Sequence, residues 1–123
     1  MSLNDLMSDF VARVNNALMA GNTEVVVLKN NLVLSVCKKL VTLGFFASFE
    51  ELEREIKVDL TSKRLNRLVR ISKPGQRIYA SSYKMPKVMG GKGFNILTTS
   101  SGILTHVESK NKKVGGELLF QIT

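Results

Sequence analysis

The sequence predicts an α+β protein of two small lobes, an N-terminal α-β-α-β-β lobe over residues 1–72 and a C-terminal β-rich lobe with a short helix over residues 73–123. Three observations carry that expectation. Apolar residues recur twice at helical spacing before Gly44, with strand-like stretches between and after them. From Lys73 onward the texture changes to short strands broken by glycine, seven of the nine glycines lying in residues 75–116. A chain of 123 residues with 44% hydrophobic composition buries one modest core, or two small cores sharing an interface.

Leu6, Phe10, Val14 and Ala17, flanked by Met7, Val11 and Leu18, paint one face of a first helix. Asn4 or Asp5 is placed to cap its start and Gly21 to stop it. Thr23 to Leu28 is β-branched and apolar and reads as a buried strand. Asn30 and Asn31 offer caps for a second helix, whose apolar set is Val33, Leu34, Val36, Cys37, Leu40 and Val41, ending at Gly44. Cys37 is thereby a core residue. Phe45, Phe46 and Phe49 form a short extended or packing segment. Alternation over Glu55 to Leu60 marks a half-exposed strand, and Thr61 to Arg64 turns it into a strand over Leu68 to Ser72. Two helices then cover one face of a three-stranded sheet.

In the second lobe the expected strands are Arg77 to Ala80, Phe94 to Thr98, Ile103 to Val107 and Glu117 to Ile122, with a short helix or turn over Glu108 to Lys113. The hinge falls near Lys73-Pro74-Gly75, where proline presets φ and glycine permits positive φ.

Charge is divided unevenly between the halves. Residues 1–62 hold six Lys/Arg against eight Asp/Glu, a net of −2, while residues 63–123 hold twelve against two, a net of +10. So basic a half fits an anionic surface, and an RNA phosphate backbone is the commonest such partner; a merely solubilising face is the alternative. The single cysteine excludes an internal disulfide, and with His106 the sole histidine there is no Cys/His set for zinc. No metal or cofactor is expected, and a reducing compartment fits. No run approaches the roughly 20 apolar residues of a membrane span, and Asp5 and Asp9 stand where a basic targeting segment would lie. The chain is expected to be soluble and unprocessed, with no membrane partner.

Four constellations bear on function. Ser72-Lys73-Pro74-Gly75-Gln76-Arg77-Ile78-Tyr79 holds Lys73 and Arg77 on one rim of a Pro-Gly turn for phosphates, with Tyr79 beyond them for a ribose, or is a bare turn with solvated charges. Gly90-Gly91-Lys92-Gly93 superficially suggests a phosphate cradle, but a Walker loop runs from a strand into a helix and here a strand follows. Thr98-Thr99-Ser100-Ser101-Gly102 places small hydroxyls at a sheet rim, where they can approach RNA closely, or forms a plain hairpin turn. In Gly115-Gly116-Glu117 the glycines permit close approach of RNA or of a neighbouring strand, and Glu117 can accept from a base amino group or a 2′-hydroxyl. His106, inside an expected strand with no cysteine near it, and the isolated acids Asp59 and Glu108 propose no catalytic site. The chain is not expected to be an enzyme.

Taken in order, Ser72–Tyr79 (SKPGQRIY), Met85–Gly102 (MPKVMGGKGFNILTTSSG) and Gly115–Phe120 (GGELLF) resemble the bacterial-type family of small-subunit ribosomal protein eight. That family carries Ser-Lys/Arg-Pro-Gly-x-Arg-x-Tyr, Pro-x-Val-x-x-Gly-x-Gly, a Ser-Thr-Ser-x-Gly turn and a terminal Gly-Gly-Glu. Asp5, Asp9, Arg13, Asn16 and Ala17 fall where the family has its first helix, so the resemblance spans nearly the whole chain.

The resemblance implies a two-lobed structural protein that binds the central domain of small-subunit ribosomal RNA and supports assembly and translation. Its C-terminal lobe would supply much of the contact, so Thr98, Thr99 and Ser100, then Gly115, Gly116 and Glu117, carry over as RNA-binding residues, with Lys73, Arg77 and Tyr79 beside them. Ribosomal protein five is the implied neighbour. The alternative function is repression of a messenger RNA through the same surface. Leu6 replaces the family's proline, Asn15 an arginine and Thr98 the first serine of the turn, and Glu50 to Asn66 looks shortened. Those departures suggest an organellar ribosome, with the mitochondrial matrix favoured over a bacterial cytoplasm.

Overall fold

A computed structural model of the chain describes residues 3–62, 64–72, 76–81 and 94–122, with side chains from residue 6 onward. The expected hinge at Lys73-Pro74-Gly75 and the segment Gly90-Gly91-Lys92-Gly93 lie outside the described residues. The chain divides into two compact units, Met1–Arg67 and Leu68–Thr123.

The first unit runs α1 (Leu3–Met19), β1 (Glu24–Leu28), α2 (Asn31–Thr42), β2 (Ser48–Glu51) and β3 (Glu55–Asp59). The 3.6-residue rows read from the sequence are the buried faces of both helices: Met7, Phe10, Val11, Val14 and Ala17 on α1, and Val33, Val36, Cys37 and Leu40 on α2. The first helix begins at Leu3, ahead of the caps expected at Asn4 or Asp5. It ends where Gly21 takes φ +72°, and Gly44 does the same for α2 at φ +85°. Asn30 caps α2, its side-chain oxygen accepting from the Val33 amide at 2.7 Å. The sheet is antiparallel in the order β1-β3-β2, with Val27 opposite Ile56 and Phe49 opposite Val58. α1 packs on β1 and α2 on β2, and the Phe10 and Phe46 rings meet edge to face at 6.3 Å in the core. Burial there pushes the Cys37 thiol up to about 12, as suits a packing residue.

The succession α-β-α-β-β holds, but the membership of its sheet is corrected. The strand expected over Leu68 to Ser72 is β4 (Leu68–Arg70), and it pairs with the last strand of the second unit, Leu68 opposite Ile122. Its place in the first sheet is taken by β2, read from sequence as a short extended or packing segment around Phe49. Periodicity is silent over Ser48-Phe49-Glu50-Glu51, which carries one apolar residue, and it says which face of a strand is buried but not which strand lies beside it.

The second unit continues with β5 (Tyr79–Ala80), β6 (Phe94–Thr99), β7 (Gly102–Thr105), α3 (His106–Lys112) and β8 (Gly116–Ile122). Its antiparallel sheet has the order β4-β8-β6-β7, with β5 also on β8. The central strand β8 is buried on both faces, through Leu118, Leu119, Phe120 and Ile122. A bulge lies beside it: Ile96 faces Phe120 and Leu97 faces Leu118, so Leu119 has no opposite number on β6.

Two expectations are shortened here. The strand from Arg77 is only Tyr79–Ala80, and the strand expected to run to Val107 stops at Thr105, where α3 begins. Thr105 is the reason. Its hydroxyl accepts from the Glu108 amide at 3.3 Å while the Glu108 carboxylate accepts from the Thr105 amide at 3.2 Å, a reciprocal capping box that turns the chain into a helix. His106 therefore opens a helix rather than lying inside a strand.

Candidate nucleic-acid interface

The start of β8 gathers three of the sequence motifs. Gly116 must be bare because a Cβ there would strike the Thr98 carbonyl oxygen and stand 2.9 Å from the Thr99 methyl. A Cβ on Gly115 would strike the Ala80 carbonyl oxygen and stand 2.9 Å from the Ser81 Cα. The close approach the two glycines allow is thus filled, within the protein, by β6 on one side and the end of β5 on the other.

Glu117 follows, opposite Tyr79 on β5 and opposite Thr98 on β6, so the three side chains leave the sheet on one face. Tyr79 is 67% exposed and presents an aromatic ring to solvent. Glu117 is its opposite: its side chain is only 10% exposed, with Oε1 lying 3.8 Å from Nη1 of the half-exposed Arg77. Its other oxygen, Oε2, is buried without a hydrogen-bond partner among the described residues. Arg70 belongs to the same electrostatic group. Burial pulls its guanidinium pKa down and the charge of Glu117 opposes that shift. Its Nε donates to the Ser72 carbonyl oxygen, while Nη1 and Nη2 are buried without hydrogen-bond partners among the described residues.

Ser72, first residue of the Ser-Lys-Pro-Gly segment, is fully buried. Its hydroxyl accepts from the Ile78 amide at 2.9 Å and donates to the Ile78 carbonyl at 3.2 Å. That carbonyl also accepts from the Leu118 amide at 2.8 Å. Ser72 therefore anchors the residue just before Tyr79 to β8. Lys73 lies outside the described residues.

The hydroxyl segment is the β6–β7 hairpin, with Thr99 opposite Gly102. The Thr99 hydroxyl donates to the Gly102 carbonyl at 2.9 Å and accepts from the Ser101 amide at 3.0 Å. Gly102 sits at φ +101°, where its missing side chain is required, and Ser100 and Ser101 are exposed at the tip. Ser101 belongs to the hydroxyl constellation read from sequence but is not carried over as an RNA-binding residue, because the family pattern leaves that position variable. Its exposure in the turn is a tertiary fact. Beyond β7, α3 carries the exposed Lys110 and Lys112 to its end at Lys113, itself exposed with φ +56°.

The structure thus brings together Tyr79, Arg77, Glu117 and Thr98, and sets the Thr99 turn against Gly116. His106 stands apart from them in role: its Nδ1 accepts from the Asn95 amide at 3.1 Å and its ring lies 5.8 Å from that of Phe94. Among the described residues no group of three or more His, Cys, Asp or Glu side chains could hold a metal, and no helix is long and apolar enough to cross a membrane.

The first unit offers a different surface. On the sheet face away from its helices, Glu24 lies opposite Asp59, Lys57 opposite Glu50, and Glu55 opposite Leu28, four carboxylates against one ammonium. Arg13, in the helix that resembles the family's first, pairs with Asp9 at 2.9 Å and donates to the Val26 carbonyl at 3.2 Å, so it serves its own unit. Phosphate would find little on that face.

Residues 5–123 match the family model described as Ribosomal protein S8. The chain is similar to small ribosomal subunit protein uS8 of Microcystis aeruginosa, 39% identical over 132 residues with 99% of each chain covered. It is 36% identical over 140 residues to small ribosomal subunit protein uS8c of Pleurastrum terricola, covering 98% of this chain and 99% of that one. To small ribosomal subunit protein uS8 of Nitratidesulfovibrio vulgaris it is 38% identical over 124 residues, covering 98% of each.

Proposed function

The chain belongs to the ribosomal protein S8 family, and we propose that in the small ribosomal subunit it acts as a non-catalytic clamp on the central domain of the ribosomal RNA. Family membership makes it a structural protein of that subunit, partnered with ribosomal RNA and ribosomal proteins, and not an enzyme. The clamp is the finer reading. What supports it is one observation: Tyr79, Glu117 and Thr98 stand on three adjacent strands of one sheet face, beside an exposed hydroxyl hairpin, in the half of the chain with net charge +10.

The division of labour follows from chemistry. Lysines and arginines, Arg77 and the α3 lysines among them, neutralise phosphates and set affinity. The Tyr79 ring stacks on a base or a ribose, and the exposed hydroxyl tip of the hairpin that follows Thr98, seated against Gly116, meets the shallow RNA groove at close range. Glu117, its carboxylate buried beside Arg77, holds that arginine at the edge of the face rather than meeting RNA itself. Lys73 extends the phosphate rim in this reading. The first unit faces protein neighbours, for which ribosomal protein five is the expected partner. A mitochondrial ribosome rests only on the departures at Leu6, Asn15 and Thr98 and the shortened segment from Glu50 to Asn66, since the relatives span bacteria and chloroplasts.

The test is binding of the purified chain to its cognate central-domain RNA fragment and to an unrelated structured RNA of equal length at one fixed salt concentration. Preference for the cognate fragment by at least about a hundredfold is expected. Equal affinity for both would leave only a nonspecific basic protein.

A further inference from the structure

We propose that Thr99 is a positioning residue of the RNA-binding hairpin, and that the hydroxyls it positions, those of Ser100 and Ser101, are the groups that meet the RNA sugar–phosphate backbone. The inference rests on the RNA-binding reading above, and it separates residues that the motif groups together as RNA-binding, giving Thr99 a positioning role and setting Ser101 beside Ser100.

A threonine hydroxyl has one proton to donate and two lone pairs with which to accept. At Thr99 the proton is given to the Gly102 carbonyl at 2.9 Å and one lone pair is taken by the Ser101 amide at 3.0 Å. A phosphate oxygen only accepts, so Thr99 has nothing left to offer it. Ser100 and Ser101 lie one and two residues further on, both exposed, and neither hydroxyl is engaged with any described residue. They keep their donors.

The same side chain is held from its other branch. The Thr99 methyl lies against Gly116, 2.9 Å from where a Cβ would stand, so the hairpin is seated on β8 by the methyl and closed by the hydroxyl. This explains why a β-branched hydroxyl residue suits position 99. Valine supplies the methyl without the clamp, and serine supplies the clamp without the methyl. Gly102, at φ +101°, completes the turn that Thr99 ties down. The hydroxyl turn and the Gly115-Gly116 motif, separate in sequence, are one device in the fold.

The experiment is a double-mutant cycle on the full chain with the cognate central-domain RNA fragment, paired with amide hydrogen exchange on the free protein. Thr99→Val should speed exchange at the Ser101 amide and weaken RNA binding about five- to tenfold, the scale of one or two lost hydrogen bonds. Ser100→Ala plus Ser101→Ala should weaken it similarly. Combined with Thr99→Val, the two serine substitutions should add less than about twofold, because the valine has already released the hydroxyls they remove. Thr99→Ser should restore most of the affinity and the protection of the Ser101 amide. Thermal melts of each variant confirm that the comparison is between folded chains.

Additive losses across the cycle would overturn the proposal, since Thr99 would then touch RNA by itself. So would unchanged affinity in Thr99→Val with the wild type still selective. Loss of selectivity in the wild type is a distinct result, which would sink the RNA-binding reading and this assignment together.

Discussion

His106 is held by a hydrogen bond that it keeps only while neutral. Its Nδ1 accepts from the Asn95 amide, so a second proton on the ring would set two donors against each other. Burial accordingly pushes its pKa below the ordinary histidine range. In the unfolded chain the ring titrates near about 6.5. The folded state therefore binds fewer protons just below that value, so the stability His106 contributes is complete above about pH 6.5 and declines as the pH falls through the folded value. Thermal melts between pH 7 and pH 5 should show a smaller loss of Tm for His106→Gln than for the wild type; equal losses would remove His106 as the source. Glu117 illustrates the opposite problem at the same scale. A carboxylate this deeply buried needs positive neighbours, and Arg77 and Arg70 provide them. Neither relation could be read from the chain, because residues 70, 77 and 117 become neighbours only through strand pairing. The motif Gly-Gly-Glu was visible, but the burial of its acid was not.

At the scale of elements, β8 organises the second unit. It receives β4 and β5 along one edge and β6 along the other, and at Gly116 β6 leaves no room for a Cβ. Gly116→Ala should destabilise the unit by about 1–3 kcal/mol through overpacking against the Thr98 carbonyl, a rigid backbone group that cannot swing aside. Urea unfolding checks this. A change under about 0.5 kcal/mol would mean that the hairpin lifts freely, and Gly116 would then not be the seat of the Thr99 turn. The helices were legible because each carries its own evidence: a 3.6-residue apolar row, an Asn30 cap and a terminal glycine are local signals. The capping box was equally local in Thr105-His106-Val107-Glu108, yet an apolar run through Ile103 and Leu104 masked it as a continuing strand. Strand β2 is legible only as an extended or packing segment, for the reverse reason. Four residues with a single phenylalanine have no period, and they become a strand because β3 offers them a hydrogen-bonding edge.

For the whole molecule, charge is the governing quantity, and it is divided between the halves of the chain, a net of −2 in residues 1–62 and +10 in residues 63–123. The acidic open sheet face of the first unit should be indifferent to RNA, whereas the lysines closing α3 should contribute to the salt dependence. Replacing Lys110, Lys112 and Lys113 by glutamine should lower affinity for every RNA tested and reduce the slope of log K against log salt by about one for each phosphate no longer neutralised. Glu50→Lys with Glu55→Lys should leave cognate preference unchanged, and a titration at several salt concentrations distinguishes the two. An unaltered slope in the lysine variant would place the phosphate-neutralising groups elsewhere on the second unit. The sequence by itself determined the two-lobe α+β plan, both long helices with the glycines that stop them, the basic second half and the ordered motifs that mark the family. These are properties of composition and short-range periodicity, which a chain carries before it folds. Only the tertiary structure decided which sheet owns Leu68–Arg70, that Glu117 is buried beside Arg77 where its charge also acts on Arg70, and that the Thr99 hydroxyl is already committed to its own turn. Each of those depends on which strands lie side by side, and pairing is set by the packing of residues far apart in the chain, on which local pattern is silent.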